Sequence, residues 1–583
     1  VACLLARDRL VSEYTGDAVL FWVLAVSSLT IAALWPASWS PPVVGNWRER
    51  WGAVRQAVWP EAITVALVTL LALVLRVAAL GAVPFTLGGD EAWHGLLARQ
   101  VIDGRLRNPF NMGFMSMPTL FYWPLSWSLR LVGDTIVGLR MPAALVGTLT
   151  VPVLYLLARD LWGRRLALLS ALFLAAYDYH IHFSRLGANN VWDPLFVILA
   201  LWALGRGLAR IDKVEPASGP AAYRSFVAAG MVAGIGFYFY TGARLLPALI
   251  AVYAGFVWWQ RRGQLRRPGM YLLLMVLAFL IVAGPMLSYA QAHPAEWNAR
   301  LNQVGILQSG WLEREPELTG KTTLQILAEQ FLRAAGAFHV YPDRTVWYGG
   351  ERPLLGFLAG GLAVLGLAWA VARWREPRAF LILLWFWSVI VSGGMLTESP
   401  PSSQRLVIAI PAVVLLVALG LDRVVGLLGR LFHSRLKWES LARGLLILVL
   451  VVSSIHYYFV DFTPSRRYGS ENGETATMMG YYLRDLGPGT QVYHFGAPRI
   501  YWGFGTMSFL APDVKGTDVV QPLTLAGDLA DYTGDAPEEG MVFLFLPERM
   551  PELEWVEQAF PGGEIREFKD GGGRLRFVVY SQP

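Results

Sequence analysis

The sequence predicts an α-helical polytopic membrane protein of about twelve transmembrane helices, with external amphipathic helices and a small C-terminal α/β soluble domain. Three observations predict it. Hydrophobic residues make up 55% of the 583 and charged ones 16%, at a mean hydropathy of +0.43, which is more apolar surface than a soluble core of this size hides. Apolar runs of about 20 residues recur, the length that a helix rising about 1.5 Å per residue needs to cross about 30 Å of hydrocarbon. Arginine and lysine gather in every second connection between those runs, as cytoplasmic loops do.

In chain order, residues 1–60 hold a first span at 18–36 and a basic cytoplasmic loop. The chain opens on Val1 rather than Met, which leaves its true start open. The run from Ala18 to Leu34 lacks a small-residue cleavage site, so it reads as a span and not as a removable signal. A membrane domain over 61–460 follows, with spans expected at 61–83, 136–158, 166–183, 191–209, 225–241, 244–260, 270–289, 353–373, 379–396, 405–422 and 443–460.

Two connections are too long for turns. Residues 84–135 carry Leu87-Gly88-Gly89-Asp90-Glu91-Ala92-Trp93-His94-Gly95, an amphipathic segment from Ala92 to Ile102 that stops at Gly104, and the aromatic run Met117 to Pro124, suited to the headgroup layer. Asp90 reads as the N-cap of that segment. Residues 290–352 hold two amphipathic pieces, His293 to Leu307 and Thr322 to Ala337, and long segments of this kind often cover a site. From Asp461 to the end, residues 461–583, the composition becomes that of an external soluble domain. It has β-like runs at Gln491 to His494, Met541 to Leu546 and Leu575 to Tyr580, and a helical pattern from Glu548 to Phe560.

Basic clusters at 48–55, 159–165, 206–224, 261–267, 373–378 and 423–443 assign those loops to the cytoplasm. By the same parity Asp90-Glu91, the stretch after Asp178, 240–244, 290–352, 397–405 and the tail lie outside. A net charge of +6 and a pI near 9.3 would suggest nucleic acid as partner in a soluble protein. Here the basic residues sit in short loops, with no basic stripe interleaved with aromatics, which excludes that class. A single cysteine, Cys3, excludes an intrachain disulfide framework and a cysteine metal cluster.

Two adjacent carboxylates just past a span are more than a helix cap needs. Moving a sugar off a lipid phosphate takes a base for the acceptor hydroxyl and cations for the departing phosphate. Asp90 is the candidate base, and Glu91 would orient the acceptor or pair with a cation. His94, one turn on, would contact the same substrate; the plainer reading is an interfacial histidine. Arg185, Arg244 (after Tyr238 and Tyr240) and Arg405 (after Glu398) stand at external span ends, against the cytoplasmic bias. Each alone fits snorkelling to headgroups, but together they suggest a bound anion. Of Asp178, His180 and His182 only the first and last share a helical face, so no metal site is assigned. The sequence requires no cofactor, and a divalent cation beside the leaving phosphate stays an open alternative.

At these residues the sequence resembles a known family. DEAWHG (Asp90 to Gly95), MPTLFYW (Met117 to Trp123), FSRLGANNVWDP (Phe183 to Pro194) and YTGARLLP (Tyr240 to Pro247) resemble the polytopic glycosyltransferases of the protein O-mannosyltransferase and aminoarabinose transferase type, the GT-C class. The likeness covers about 61–460 and leaves the tail outside it. It implies a membrane hexosyl- or pentosyltransferase of the cell envelope, which carries a sugar with inversion from a polyprenyl-phosphate donor to an acceptor hydroxyl on a protein, lipid or glycan. It also implies Asp90 as base, with substrate contacts from Asn190, Asp193 and Tyr240. The family's second external loop often carries an acid about where Asn190 stands, and Asp193 lies one turn further. Two other classes remain as alternatives. A lipid-linked sugar transporter or flippase would want the same arginines, but also midplane charges and interrupted spans in matching halves. A non-catalytic cell-wall-binding scaffold would rest on the tail alone.

Overall fold

The computed structural model describes residues 2, 5, 15–34, 47–211, 220–265, 267–431, 436–534 and 540–582. Among these residues, nine helices are long and apolar enough to cross a membrane, from Gly16–Ala33 to Trp438–Ser465. The twelve expected runs fall on these nine helices and on three that are shorter or bent. The run at 166–183 is a pair of helices, Arg164–Ala176 and Asp178–Ser184, bent by 58° where Tyr177 takes an extended conformation. The run at 353–373 is the helix Phe357–Ala372, at 16 residues too short for a straight crossing. That at 225–241 is the helix Pro220–Gly236, of 17 residues.

Packing inside the bundle follows the small residues. The helix of the span Ser403–Leu431 is its most enclosed, and it meets Phe357–Ala372 without intervening side chains. A Cβ on Gly366 would fall 1.9 Å from the Leu416 carbonyl oxygen, and one on Gly420 would fall 2.0 Å from that of Leu362. Two backbones can touch in this way only where both helices carry glycine at the crossing.

The basic clusters converge at one end of the bundle. Glu61 pairs with Arg159 and Arg164, Asp160 with Arg206, and Asp422 with both Arg165 and Arg443. The connections that carry Asp90, Asn190, Tyr240 and Gln404 meet at the other end. The alternation of charge along the sequence is thus an alternation in space.

At that second end lie short helices. Gly89–Ile102 begins at an N-cap that is Gly88, with no side-chain cap, so Asp90 is not the cap but sits in the first turn. The reason is local: both acids fall inside the helix, and the backbone leaves its extended path at Gly88. The segment 290–352 contains three helices where two were expected: Pro294–Val304, Trp311–Thr319 and Thr323–Ala335. The last starts in a capping box, Thr322 with Gln325.

The tail folds as the helix Ser470–Leu486 against a five-stranded sheet of order β2-β1-β3-β5-β4. The strands are β1 (Gln491–Phe495), β2 (Lys515–Asp518), β3 (Met541–Phe545), β4 (Glu564–Lys569) and β5 (Leu575–Ser581). β1 runs parallel to β2 and β3, while β5 is antiparallel to β3 and β4. This domain is seated on the Asp90 segment. The Leu87 amide donates to the Thr477 hydroxyl (3.0 Å), Thr506 donates to the Leu87 carbonyl (2.9 Å), and Phe509 lies against Gly95.

Candidate functional site

Asp90 lines a narrow cleft together with His94, Asn189, Asn190, Tyr240, Arg300 and Gln404, and with Met115, Met117 and Trp347 at its walls. These side chains come from five separate connections. Among the described residues no hydrogen bond or ion pair engages the Asp90 carboxylate. Its neighbour is the opposite case. Glu91 is fully buried and accepts from Arg140 Nε (2.6 Å) and Nη2 (3.1 Å), from the Gly187 amide (2.7 Å) and from the Tyr468 hydroxyl (3.1 Å). Arg140 in turn donates to the carbonyls of Leu80, Pro84 and Thr86. Of the two roles open to Glu91, orienting the acceptor or pairing with a cation, the structure has the second, an ion pair with Arg140. The Glu91 carboxylate fastens the start of the Asp90 helix to the membrane domain and to the tail.

His94 is buried, and its Nδ1 lies 2.9 Å from the Gly187 carbonyl oxygen, so Nδ1 carries the proton and Nε2 keeps its lone pair. Burial holds this imidazole below its ordinary pKa, which keeps it neutral and an acceptor of hydroxyl protons. Asn190 donates to the Gln404 carbonyl (2.9 Å), and Asn189 to that of Phe239 (2.7 Å). These bonds pin the loop after the bent helix pair to the floor of the cleft.

The arginines divide. Arg185 is buried and donates to the carbonyls of Val83, Leu75 and Ala78 at 2.7–2.9 Å, so it closes the end of the helix Trp47–Val77. This corrects its expected place beside a substrate phosphate: every nitrogen of the guanidinium serves a helix end with free carbonyls. Arg244 stacks on Trp297 at 3.4 Å, donates to its carbonyl (3.0 Å), and lies outside the cleft with Asp193 near it. Asp193 is fully buried against Gly242 and is not among the residues that line the cleft. Arg405 donates one bond to the Glu398 carbonyl (2.9 Å) and stands near Tyr240 and Arg300.

Arg300 is the cleft cation that the sequence reading missed, and among the described residues its only side-chain hydrogen bond goes to Gln303 (2.7 Å). A signal was present: Trp297, Arg300 and Val304 share one face of Pro294–Val304, so a cation stands on the apolar stripe of an amphipathic helix. Met115 and Ser116, at the rim, both take left-handed backbone conformations (φ 53° and 60°), a strain uncommon outside glycine.

The three side chains weighed for a metal part company. Asp178 is taken by Arg352, Tyr348 and Ser454, His180 by Arg76, and His182 by the Trp347 carbonyl. Among the described residues no group of three or more His, Cys, Asp or Glu could hold a metal ion.

Known proteins share this arrangement of helices. ArnT from Cupriavidus metallidurans in the apo state superposes over 91% of this chain and 100% of its own, at 15% identity and a TM-score of 0.52. The same protein bound to undecaprenyl phosphate gives 90%, 100% and 0.52. The fold of this chain is therefore the one that ArnT has. Residues 116–289 match the family described as dolichyl-phosphate-mannose-protein mannosyltransferase. The undecaprenyl phosphate-alpha-4-amino-4-deoxy-L-arabinose arabinosyl transferase 1 of Pseudomonas fluorescens (strain Pf0-1) is 29% identical over 215 residues, 36% of this chain and 36% of that protein. Transferase 2 of Proteus mirabilis (strain HI4320) is 25% identical over 303 residues, 51% of this chain and 49% of that one. These alignments span between about a third and a half of the relatives' length. The family match takes in Met117, Asn189, Asn190 and Tyr240, whereas Asp90, Arg300 and Gln404 lie outside it.

Proposed function

We propose that this protein is a membrane glycosyltransferase that moves a sugar, with inversion, from a polyprenyl-phosphate donor to an acceptor hydroxyl on the external face, with Asp90 as general base. The observation that carries the reading is an uncommitted carboxylate sharing one cleft with the guanidinium of Arg300, in a fold held in common with a protein solved with undecaprenyl phosphate bound.

The chemistry follows from charge. The acceptor oxygen attacks the anomeric carbon from the face opposite the phosphate, and the carbon–oxygen bond to phosphate breaks with its electron pair leaving on the phosphate oxygen. The acceptor's proton passes to Asp90 as its oxygen becomes bonded, when the hydroxyl is most acidic. Arg300, with Arg405 behind it, offsets the charge that gathers on the leaving phosphate. The neutral His94 and the asparagine amides are placed to hold sugar or acceptor hydroxyls. Glu91 is a positioning residue that acts through Arg140 and the Asp90 helix. The cleft encloses about 20 Å³, room for a water and not for a sugar, so donor entry must displace wall side chains. Met115 and Met117, unbranched and adaptable, are suited to yield.

The test uses purified full-length protein, a labelled prenyl-phosphate sugar and a panel of protein, lipid and glycan acceptors. A pentosyl donor comes first, because the relatives are named arabinosyl transferases. Release of free prenyl phosphate with labelled acceptor is expected, and Asp90→Asn should abolish transfer, by at least about 100-fold, while donor binding persists. Transfer retained by that variant would sink the role of Asp90. A donor merely relocated across the bilayer would mark a flippase, and no turnover or movement a scaffold.

A further inference from the structure

Three carboxamides line the cleft of Asp90, and the protein uses them unequally. Asn189 and Asn190 each commit their nitrogen to a main-chain carbonyl, that of Phe239 and that of Gln404. Gln404 is more than nine-tenths buried, yet among the described residues no hydrogen bond engages its side-chain amide, and the buried Oε1 has no partner. The backbone beside it is the opposite case. The Ser403 amide donates to Asp343 (3.0 Å), the Ser403 carbonyl accepts from the Tyr179 hydroxyl, and the Gln404 carbonyl accepts from Asn190 (2.9 Å). The main chain is thus held at three points while the amide it carries is left open. A buried amide without a partner costs stability, so its place in a cleft points to a partner that arrives with the ligand.

What fits it follows from its chemistry. A carboxamide sets N–H donors beside a carbonyl acceptor in one plane. An ionised phosphate only accepts and an ammonium only donates, so each would leave one end of the amide unmet. Two hydroxyls on adjacent ring carbons both donate and accept, and they meet the two ends together. Gln404 also directly precedes Arg405, which stands near Arg300 among the cations placed beside the leaving phosphate. The donor's sugar is bonded to that phosphate, whereas the acceptor attacks from the face away from it. We propose that Gln404 is a specificity-determining residue whose amide holds two neighbouring hydroxyls of the donor sugar. This rests on the reading of the cleft as the donor site, and it adds that sugars with a free vicinal diol are the substrate class.

Purified full-length protein is titrated with undecaprenyl phosphate carrying arabinose or mannose, and the tighter of the two is remade with each ring hydroxyl replaced in turn by hydrogen. Affinity is expected to fall by at least about fivefold at two adjacent positions. Gln404→Leu should weaken the parent donor by at least about tenfold, and in that variant the same two deoxy donors should bind within about twofold of the parent. Losses that multiply instead, each deoxy donor weakened by the same factor in the variant as in the native protein, overturn the proposal, because amide and hydroxyls then act separately. So does an affinity unchanged in Gln404→Leu. Should the leucine variant fail to fold, Gln404→Met, closer in length and equally without an amide, decides in its place. Because binding is read and not turnover, a failure of Asp90 as base leaves this result standing, whereas a protein that binds neither parent donor overturns both readings.

Discussion

Arg185 and Arg300 carry the same guanidinium to opposite uses. Arg185 serves three backbone carbonyls at a buried helix end, and Arg300 keeps most of its donors free at the mouth of a cleft. Arg185→Gln should therefore cost on the order of 3 kcal/mol of stability, since buried carbonyls lose their partners, while the protein that still folds binds donor as before. Arg300→Gln should instead weaken donor binding by about tenfold and leave the melting temperature within a few degrees. Thermal unfolding and labelled-donor binding on the same preparations separate the two, and the reverse pattern would return Arg185 to the site. Sequence alone could not make this division. It marks an arginine at an external span end, but the residues that take up the guanidinium lie about a hundred positions away, at Leu75, Ala78 and Val83. Glu91 and Asp90 were indistinguishable for the same reason: adjacent on a helix, they point about 100° apart, and only Arg140, Gly187 and Tyr468 show which one is enclosed.

The helix Gly89–Ile102 is gripped from two sides, by the membrane domain through Glu91 and by the tail through its Gly95 face. A Cβ at Gly95 would come 2.4 Å from Phe509, so even alanine must push the phenylalanine, and with it the tail, off the helix. Gly95→Ala is expected to speed proteolytic release of residues beyond 461 by several-fold and to lower transfer, and a smaller partner, Phe509→Leu, should restore both in part. Unchanged proteolysis in Gly95→Ala would show that the tail is held elsewhere. Which elements the sequence disclosed follows from burial. The strands β1, β3 and β5 are largely buried and read as apolar runs, whereas β4 is almost wholly exposed and β2 is the short polar stretch Lys515–Asp518, so neither has an apolar pattern. The helix Trp311–Thr319 escaped because its acids, its proline and its lack of any buried residue resemble a loop.

Over the whole molecule, charge and chemistry sit at opposite poles. Three of the basic clusters scattered through the chain, at 159–165, 206–224 and 423–443, are tied together by Glu61, Asp160 and Asp422 at one end, and the cleft of Asp90 lies at the other. Hydropathy and charge parity made this polarity legible without coordinates, because lipid leaves the helix no choice but to cross and the membrane potential biases which loops stay inside. Which pole faces the cell exterior is a separate question, answered by chemical access. In a Cys3→Ser background, Glu351→Cys places a thiol on the cleft side and Arg164→Cys one on the basic side, each replacing a side chain that is well exposed (79% and 63%). Glu351 pairs with the part-exposed Arg467, and Glu61, the partner of Arg164, keeps its second pair with Arg159, so a small replacement costs the fold little. A membrane-impermeant maleimide added to intact cells should label Glu351→Cys and should reach Arg164→Cys only after permeabilisation. Labelling in the reverse order would put Asp90 in the cytoplasm, where a donor presented at the outer surface never meets it, and transfer on the external face would have to be abandoned whatever the variant kinetics showed.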